Sequence, residues 1–524
     1  MIRAAEASAA HTFRPSPGCA TDEMSWTAAN VRLVVELGRG IGDVAAMPLR
    51  GGGFGACVVL GTAGERIIVG ALDWHSEFLP KLEDLRSAST LILDHHAHVA
   101  HPAVISIDRG AAPPSDWRWL GTLDGVEAVE DCLSFSGWEY LPDQVDAQRR
   151  WNLFVSEAAK TAHPSMTVEL DFGGGPHEFP ARIENLDFRL LAVLPQEGPP
   201  DWSQLDGLPM LRGLVWEGSD RGLTAALGRR PGVSALRWEN PPSVVDLSGT
   251  GVTSLWISGT CPRRLLLPGR LERLTFLDHT GELPEVVAEA DGARIGLFII
   301  APEPSVPSGL RSVRDLELSV GGAFSASSLS TLAALEVLRI DWTAPPGELT
   351  DAEKLASLRS LRSLELNGAY ALEADTLPGT WPALRSLHVD GIRRPTAELL
   401  KARYRGSGLD LAVRGVKTDE WLAAYLTNPF RDWVEDDRRA ATVACEAYDT
   451  ALCAVSSLNG AFPEEAEAAL RAFIEALNVM DERHDGFIDT IRREESYDAF
   501  HDLGRRAGID PAQADEWFDA WRDF

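Results

Sequence analysis

Between Phe188 and Val413 the hydrophobic positions follow one recurring pattern: an apolar residue, two other residues, a leucine, one other residue and a second apolar residue. Alternating apolar residues over so short a run are typical of a β-strand with one buried face. The leucine positions of successive copies lie 19 to 26 residues apart. They are Leu191, Leu214, Leu236, Leu255, Leu274, Ile295, Leu316, Leu338, Leu364, Leu387 and, in a degraded last copy, Leu409.

This pattern and its period resemble those of leucine-rich repeats. One short strand cannot bury its own apolar face, so the copies are expected to stack around a common core with a parallel strand from each copy. The resemblance implies a solenoid over residues 166–415.

Side chains that alternate with the buried leucines are expected on the concave face of this solenoid. Opposite charges with interleaved aromatic residues are typical of a protein-binding surface. The candidate binding residues are Glu217, Arg237, Glu239, Trp256, Asp278, Glu317, Arg339, Asp341, Trp342, Glu365, His388 and Asp390. A solvated face without a dedicated partner is the alternative interpretation.

The pattern differs before the repeats. Residues 1–23 are rich in Ala, Pro and Ser and have no periodicity, which predicts a disordered tail. Residues 24–130 contain short β-prone runs separated by glycines, which predicts a small β-rich domain. Residues 131–165 carry a helical pattern and are predicted to link this domain to the repeats.

After the repeats, residues 416–524 carry apolar residues at spacings of three and four, which predicts an acidic helical domain. Helix starts are expected at Thr418, Pro463 and Asp510, since Thr, Asp and Pro are favoured at these positions. The predicted fold class is therefore α/β (mixed): a β-rich domain, a repeat solenoid and an all-α C-terminal domain.

In the β-rich region, a G-D-V strand from Gly42 ends in Pro48-Leu49, glycines follow, and Phe54-Gly55 opens a second apolar strand. These residues predict a hairpin, because glycines supply the positive φ values of a tight turn. The order resembles the opening of the immunity protein 26 family. This resemblance implies a cytoplasmic protein that binds and blocks a cognate toxin from a neighbouring bacterium, without catalytic residues of its own.

The sequence from His95 to His101 is the part of this region that could carry chemistry. With Asp94 it resembles the strand-DHH step of the DHH phosphoesterases, which would imply a metal-dependent hydrolase. On a strand, His96 and His98 would face one way and His95 the other, so one face would offer two nitrogen ligands. The alternative is a partly exposed, pH-sensitive loop.

Charge and composition narrow the classes of function. The net charge of −29 repels nucleic acids and acidic membranes and attracts basic partners, although solubility alone is an alternative explanation. We expect no membrane span and no secretion signal, because no run of 18 apolar residues occurs and the first residues lack an apolar core. The six cysteines contain no C-x-x-C pair.

G-x-S-x-G, H-E-x-x-H and Walker motifs are also missing, so we expect neither an enzyme nor a cofactor. The leading hypothesis is a bacterial immunity protein of the cytoplasm that neutralises a cognate basic toxin. Contact would be made by the concave face or by the β-rich domain. The alternatives are a metal-dependent hydrolase using His95 to His101 and a general leucine-rich-repeat adaptor.

Overall fold

The computed structural model describes residues 40–524 except 50–51, 65, 96–99, 110, 112, 115, 131, 133, 139, 162–165, 192–193, 281 and 458–462. The tail predicted for residues 1–23 lies outside this range. The chain contains both strands and helices and has a helical region at its C-terminus, which confirms the mixed α/β class.

The N-terminal region contains an antiparallel five-stranded sheet in the order β6-β3-β2-β1-β7 and a separate β4-β5 pair. The strands are β1 (Asp43–Pro48), β2 (Phe54–Ala63), β3 (Arg66–Ser76), β4 (Ile92–Leu93), β5 (His101–Pro102), β6 (Val104–Asp108) and β7 (Arg118–Thr122). β1 and β2 form the hairpin that the glycine-separated apolar runs predict. Gly53 in its turn has a φ of +82°, and a Cβ there would lie 2.4 Å from the Ser76 carbonyl oxygen, so only glycine fits.

Both faces of the five-stranded sheet are covered. Met47, Val59 and Val69 pack on one side with Leu141 and Val145 of the following helix. Residues of the other side pack on the segment around Leu85. This two-sided burial explains why β1, β2 and β3 are nearly continuous apolar runs rather than alternating ones.

A helical segment and a hairpin connect this sheet to the repeats. They comprise α1 (Tyr140–Phe154), α2 (Glu157–Lys160), β8 (Thr167–Asp171) and β9 (Pro176–Pro180). The guanidinium of Arg150 on α1 donates to the carbonyl oxygens of Pro231 (3.1 Å) and Gly251 (3.2 Å). Helix α1 therefore lies against the turns that precede the repeat strands.

The repeat copies supply one sheet of eleven parallel strands, each next to the strand of the following copy. The strands are β10 (Asn185–Asp187), β11 (Gly213–Glu217), β12 (Ala235–Glu239), β14 (Ser254–Thr260), β16 (Arg273–Thr280), β18 (Gly296–Ile300), β19 (Asp315–Val320), β21 (Val337–Trp342), β23 (Ser363–Asn367), β24 (Ser386–Asp390) and β25 (Asp410–Arg414). The return segments contain β13 (Val244–Asp246), β15 (Arg264–Leu266), β17 (Glu285–Val287), β20 (Ala323–Ser325), β22 (Glu348–Thr350), α3 (Leu223–Gly228) and α4 (Arg394–Arg403).

The register of neighbouring strands aligns one leucine from every copy. This row is Leu186, Leu214, Leu236, Leu255, Leu274, Leu297, Leu316, Leu338, Leu364, Leu387 and Leu411. All but the last are buried in the core shared by the copies. Each copy therefore depends on its neighbours for the burial of its apolar face.

Three positions predicted from the sequence are wrong, because the row contains Leu186, Leu297 and Leu411 in place of Leu191, Ile295 and Leu409. In the sixth copy, Ile295, Leu297 and Ile299 are all apolar, so the pattern fits two registers that differ by two residues. Hydrogen bonding to the neighbouring strands selects one of them. Leu191 instead lies directly after a short 3-10 helix that follows the first strand.

The C-terminal region contains α5 (Asp419–Tyr425), α6 (Arg438–Ser457), α7 (Pro463–Arg483), α8 (Thr490–Arg506) and α9 (Pro511–Trp521) around a second apolar core. The predicted starts are confirmed. The Thr418 hydroxyl accepts from the Trp421 amide (3.2 Å), α7 begins at Pro463, and the Asp510 carboxylate accepts from the Ala512 amide (3.0 Å). These groups satisfy amides that have no partner within the first helical turn.

Candidate functional site

One face of the eleven-stranded sheet packs on the core, and the other, which we call the open face, carries the side chains that alternate with the buried leucines. Strand register arranges these side chains in two rows. The first row is Asp187, Val215, Arg237, Trp256, Thr275, Phe298, Glu317, Arg339, Glu365, His388 and Ala412. The second row is Glu217, Glu239, Ser258, Leu277, Ile300, Ser319, Asp341, Asn367, Asp390 and Arg414.

The middle of the open face is apolar. Trp256, Leu277, Phe298 and Ile300 are each partly exposed there, and together we call them the apolar centre. The guanidinium of Arg273 lies 4.5 Å from the centroid of the Phe298 ring and covers one side of it. Contiguous aromatic and aliphatic surface of this kind is typical of protein contact sites, where it supplies the desolvated anchors.

Towards β10 the open face carries charges that neutralise one another. Arg189, just after β10, forms ion pairs with Asp187 (2.6 Å) and with Glu239 (2.7 Å). Although burial opposes it, the hydrogen bonds from Arg189 lower the pKa of Asp187, so this carboxylate is ionised at neutral pH. Of the two carboxylates predicted on β11 and β12, the exposed Glu217 is therefore the better candidate for attracting a basic partner.

On the other side of the apolar centre, Arg339 lies between two carboxylates of neighbouring strands. Its guanidinium donates to the Glu365 carboxylate at 2.7 Å and lies 3.7 Å from that of Glu317. Burial raises the pKa of Glu317, whereas for Glu365 burial is outweighed by hydrogen bonds from Arg339 and Asn367, which lower its pKa. One cation thus compensates two anions, and the surface keeps a negative excess.

The excess of negative charge grows towards the carboxyl ends of β21, β23 and β24. Asn367 separates Asp341 from Asp390 in the second row and donates to Asp341 at 2.6 Å. Burial raises the pKa of both aspartates. They line a cleft of about 690 Å³ between the sheet and the helical region, which we call the acidic cleft. Its other acidic residues are Glu365, Asp432, Glu435, Asp436, Asp489 and Glu495.

The structure places most of the predicted binding residues on the open face. Glu217, Arg237, Glu239, Trp256, Glu317, Arg339, Asp341, Glu365, His388 and Asp390 all lie in the two rows. Asp278 lies beside them as the exposed extra residue of a bulge in β16, with a φ of 44°. Aspartate tolerates this left-handed conformation better than most residues.

The expectation for Trp342 is wrong. Its side chain is only 6% exposed and packs in the core with Leu338 and Ile340. Consecutive strand residues point to opposite faces, so Asp341 and Trp342 cannot both project from the open face. Because β21 continues through Trp342, the alternation that buries Leu338 and Ile340 buries Trp342 as well and leaves Asp341 on the open face.

Three members of the apolar centre were not predicted: Leu277, Phe298 and Ile300. The two on β18 were not picked out, although a register shift of two residues leaves every side chain on the same face of the strand. The signal was nevertheless present, since Leu297 and Ile299 also fit the pattern and leave Phe298 between them.

The histidine cluster is described only in part, because His96 and His98 lie outside the described residues. His95 is 3% exposed, which corrects the expectation of an exposed loop at this position. Its ring Nδ1 lies 2.9 Å from Gln148 Oε1, whose oxygen also accepts from the amides of Asp94 and His95. Helix α1 covers this residue, and nothing in the local sequence indicates that contact.

His101 is exposed, and its ring Nδ1 lies 3.2 Å from the Pro102 carbonyl oxygen. Within the part of the chain that the structure describes, no group of three His, Cys, Asp or Glu residues is arranged to hold a metal ion. In the same part, no helix is both long enough and apolar enough to cross a membrane.

No protein-family model matches this chain, and no curated protein sequence matches it either. The geometry of the open face and of the acidic cleft is therefore the basis on which a function can be inferred.

Proposed function

We propose that this protein is a non-enzymatic binding protein that holds a basic protein partner on its open face, and that the partner is a cognate bacterial toxin which it neutralises in the cytoplasm. The observation that carries the proposal is the apolar centre of Trp256, Leu277, Phe298 and Ile300 with carboxylates on both sides of it.

A protein partner is favoured by how this surface is built. Interfaces between proteins combine a few desolvated apolar anchors with a charged rim that sets orientation and association rate. The apolar centre matches the anchors, and Glu217, Glu317 and Glu365 match the rim. Because the side chains project from paired strands of one sheet, little conformational entropy is lost when a partner binds.

A basic partner is favoured by the charge. The net charge of −29 attracts positively charged proteins over several ångströms, and the acidic cleft concentrates that charge beside the apolar centre. Arg273, Arg237 and Arg339 keep the face from being uniformly negative, which favours a partner with a complementary pattern over any polycation.

The toxin is proposed from the resemblance of residues 42–59 to the immunity protein 26 family, and the β1–β2 hairpin supports it. The parallel strands and the aligned row of leucines support the assignment of residues 166–415 to a leucine-rich-repeat solenoid. In such solenoids one sheet face is the usual binding surface.

The test is to measure binding of the toxin encoded beside this gene to the full-length protein and to the variants Trp256→Ala and Phe298→Ala. Each variant should bind at least about ten-fold more weakly, chiefly through faster dissociation, because loss of a central aromatic anchor typically costs about 2 kcal/mol or more. The melting temperature should change little, because both side chains are partly exposed.

Two further variants serve as controls. Leu399→Ala removes an exposed apolar side chain from α4 and should leave affinity unchanged. Trp238→Ala removes a buried one and should lower stability by about 3–5 kcal/mol, which marks the effect of damage to the core. Unchanged affinity in both open-face variants would overturn the proposal, and the β1–β2 hairpin region would become the favoured surface.

A further inference from the structure

We infer that the acidic cleft is the subsite for an arginine side chain of the protein partner, and this inference rests on the proposed function. The cleft lies where β21, β23 and β24 end, so it continues the second row of the open face. A partner seated on the apolar centre would reach it along that row.

Anionic groups exceed cationic ones in this cleft. Eight carboxylates line it, from Asp341, Glu365, Asp390, Asp432, Glu435, Asp436, Asp489 and Glu495, against the two guanidinium groups of Arg431 and Arg492. Its volume of about 690 Å³ is large enough for a long side chain and part of its backbone.

The cations close to the cleft are already engaged. Arg492 pairs with Asp436 (2.5 Å) and Asp489 (3.3 Å). The buried Lys417 pairs with Glu435 and, at 3.3 Å, with Asp432. These pairs compensate the carboxylates of Asp432, Glu435, Asp436 and Asp489, and those of Lys417 also join the end of the repeats to the helical region.

Three carboxylates therefore have no ion-pair partner among the residues that the structure describes: Asp341, Asp390 and Glu495. Asp341 accepts a hydrogen bond from Asn367, and Glu495 accepts one from the Trp433 indole at 2.5 Å. Neutral donors orient these groups but do not cancel their charge. The cleft thus presents negative charge to an incoming group.

Keeping these charges together costs free energy in the absence of a ligand. Burial raises the pKa values of Asp341, Asp390, Glu435 and Glu495, which means that the folded protein disfavours their ionised forms. Carboxylates held in this way are characteristic of functional sites, where a bound cation offsets the repulsion.

The Trp342 indole favours a ligand that carries a hydrogen-bond acceptor as well as a positive charge. The buried Trp342 contributes to the cleft wall, and its indole N–H has no hydrogen-bond partner among the described residues. A buried donor without an acceptor is uncommon and costly. An arginine within a peptide brings both the guanidinium for the carboxylates and a carbonyl oxygen that can accept from such a donor.

The aromatic residues of the cleft favour arginine over lysine. Tyr370 and Trp433 line the cleft, and the guanidinium of Arg431 already lies 5.3 Å from the centroid of the Tyr370 ring. A guanidinium is planar, stacks on aromatic rings, pairs with carboxylates through two parallel hydrogen bonds and is more weakly hydrated than an ammonium group. A second such group fits this environment.

The experiment uses the full-length protein with hexa-arginine and hexa-lysine peptides, followed by isothermal titration calorimetry at low and at physiological salt. The variants are Asp341→Asn and Glu495→Gln, which keep the hydrogen-bond acceptors for Asn367 and Trp433. Each should weaken hexa-arginine binding about ten-fold, and hexa-lysine should bind more weakly than hexa-arginine to the unaltered protein.

Glu285→Gln on β17 and Glu353→Gln are the matched controls, since both carboxylates are exposed and lie outside the cleft. They should leave peptide binding unchanged. The melting temperatures of Asp341→Asn and Glu495→Gln at neutral pH should stay the same or rise, which excludes misfolding as the cause of weaker binding.

Three outcomes would overturn the inference: no binding of hexa-arginine, equal weakening by the control variants, or equal affinity for both peptides. Failure of the proposed function gives a different result. In that case the cleft variants lose the peptide while Trp256→Ala and Phe298→Ala keep full affinity for the toxin. If instead the open-face variants alone lose the toxin and the cleft variants bind peptide normally, the function stands and the arginine subsite does not.

Discussion

Tryptophan residues of the parallel sheet differ in role according to their position along a strand. Trp216 and Trp238 are buried, and their indole N–H groups donate to the carbonyl oxygens of Ser219 and Gly218, each at 2.8 Å. Trp342 is buried without such a partner, whereas Trp256 faces outward. Strand alternation therefore makes the same residue type a core residue in one copy and a candidate anchor in another.

At the residue scale, Leu316→Ala tests the register of the sheet. Leu316 is 0% exposed and lies between Leu297 and Leu338 in the aligned row. Its truncation should lower the free energy of unfolding by about 2–5 kcal/mol, through lost burial and the cavity left behind. Urea denaturation measures this change.

The matched control for this change is Leu190→Ala. Leu190 is 81% exposed, so its truncation should change the free energy of unfolding by no more than about 0.5 kcal/mol. Similar small values for both variants would contradict the register.

At the element scale, helix α1 joins the N-terminal sheet to the repeats. Its Gln148 is 3% exposed and bonds to Asp94 and His95, while Arg212 of the repeats donates to the His95 carbonyl oxygen at 3.0 Å. The Arg212 guanidinium also lies 5.1 Å from the Trp151 ring of α1. The three segments therefore meet around His95.

Gln148→Ala should weaken this junction. The amides of Asp94 and His95 would lose their acceptor, and leaving the buried His95 amide without a partner should cost about 1–3 kcal/mol. Hydrogen–deuterium exchange should show faster exchange of these two amides.

Gln513→Ala is the control, because its amide group makes a long hydrogen bond to Glu516 on α9 (3.4 Å) and lies away from the junction. Exchange at Asp94 and His95 should be unaffected in it. Unchanged exchange in Gln148→Ala as well would show that the junction does not depend on this side chain.

At the scale of the whole molecule, the acidic cleft should shape the dependence of stability on pH. A carboxyl group whose pKa is raised in the folded state binds more protons there than in the unfolded chain, so its contribution to stability falls as pH rises. Asp341 lies among Arg339, Glu365 and Asn367, and Glu495 lies near Asp432, Arg492 and Asp489.

The double variant Asp341→Asn with Glu495→Gln should therefore gain stability over the unaltered protein as pH rises. The two proteins should differ least below the usual carboxyl pKa of about 4 and most at neutral pH. Melting temperatures measured across this pH range test the sign of the change, with Glu285→Gln, which removes an exposed carboxylate outside the cleft, as the control. A difference that is largest at low pH would contradict the assignment of raised pKa values.

The net charge of −29 should act on the rate of association with a basic partner. Glu217→Gln combined with Asp278→Asn removes two exposed charges of the open face and leaves the Arg189–Glu239 pair intact. The association rate should fall and depend less on salt, because exposed charges act through a field that is screened within about 8 Å at physiological ionic strength.

Stopped-flow mixing with the toxin measures this rate, and Phe298→Ala serves as the contrast because it should change dissociation instead. An association rate that is unaltered by the charge variant would show that steering comes from elsewhere on the molecule.

The amino-acid sequence by itself determined the repeating strands, most of the aligned leucines, the hairpin after Gly42 and the helix starts at Thr418, Pro463 and Asp510. These features are local, because periodicity, turn glycines and capping residues act within a few positions of the chain. Ten of the predicted binding residues lie in the two rows for the same reason, since alternation along a strand assigns a face.

Only the tertiary structure decided what depends on neighbouring segments. Pairing between strands chose Leu297 over Ile295 and so set Phe298 beside Thr275 in the first row and Ile300 beside Leu277 in the second. Packing of α1 buried His95, and docking of the helical region against the ends of β21 to β24 formed the acidic cleft from residues up to 154 positions apart, Asp341 and Glu495. The physical reason is that these contacts join segments far apart in the chain, and their free energy depends on which surfaces meet rather than on local residue preference.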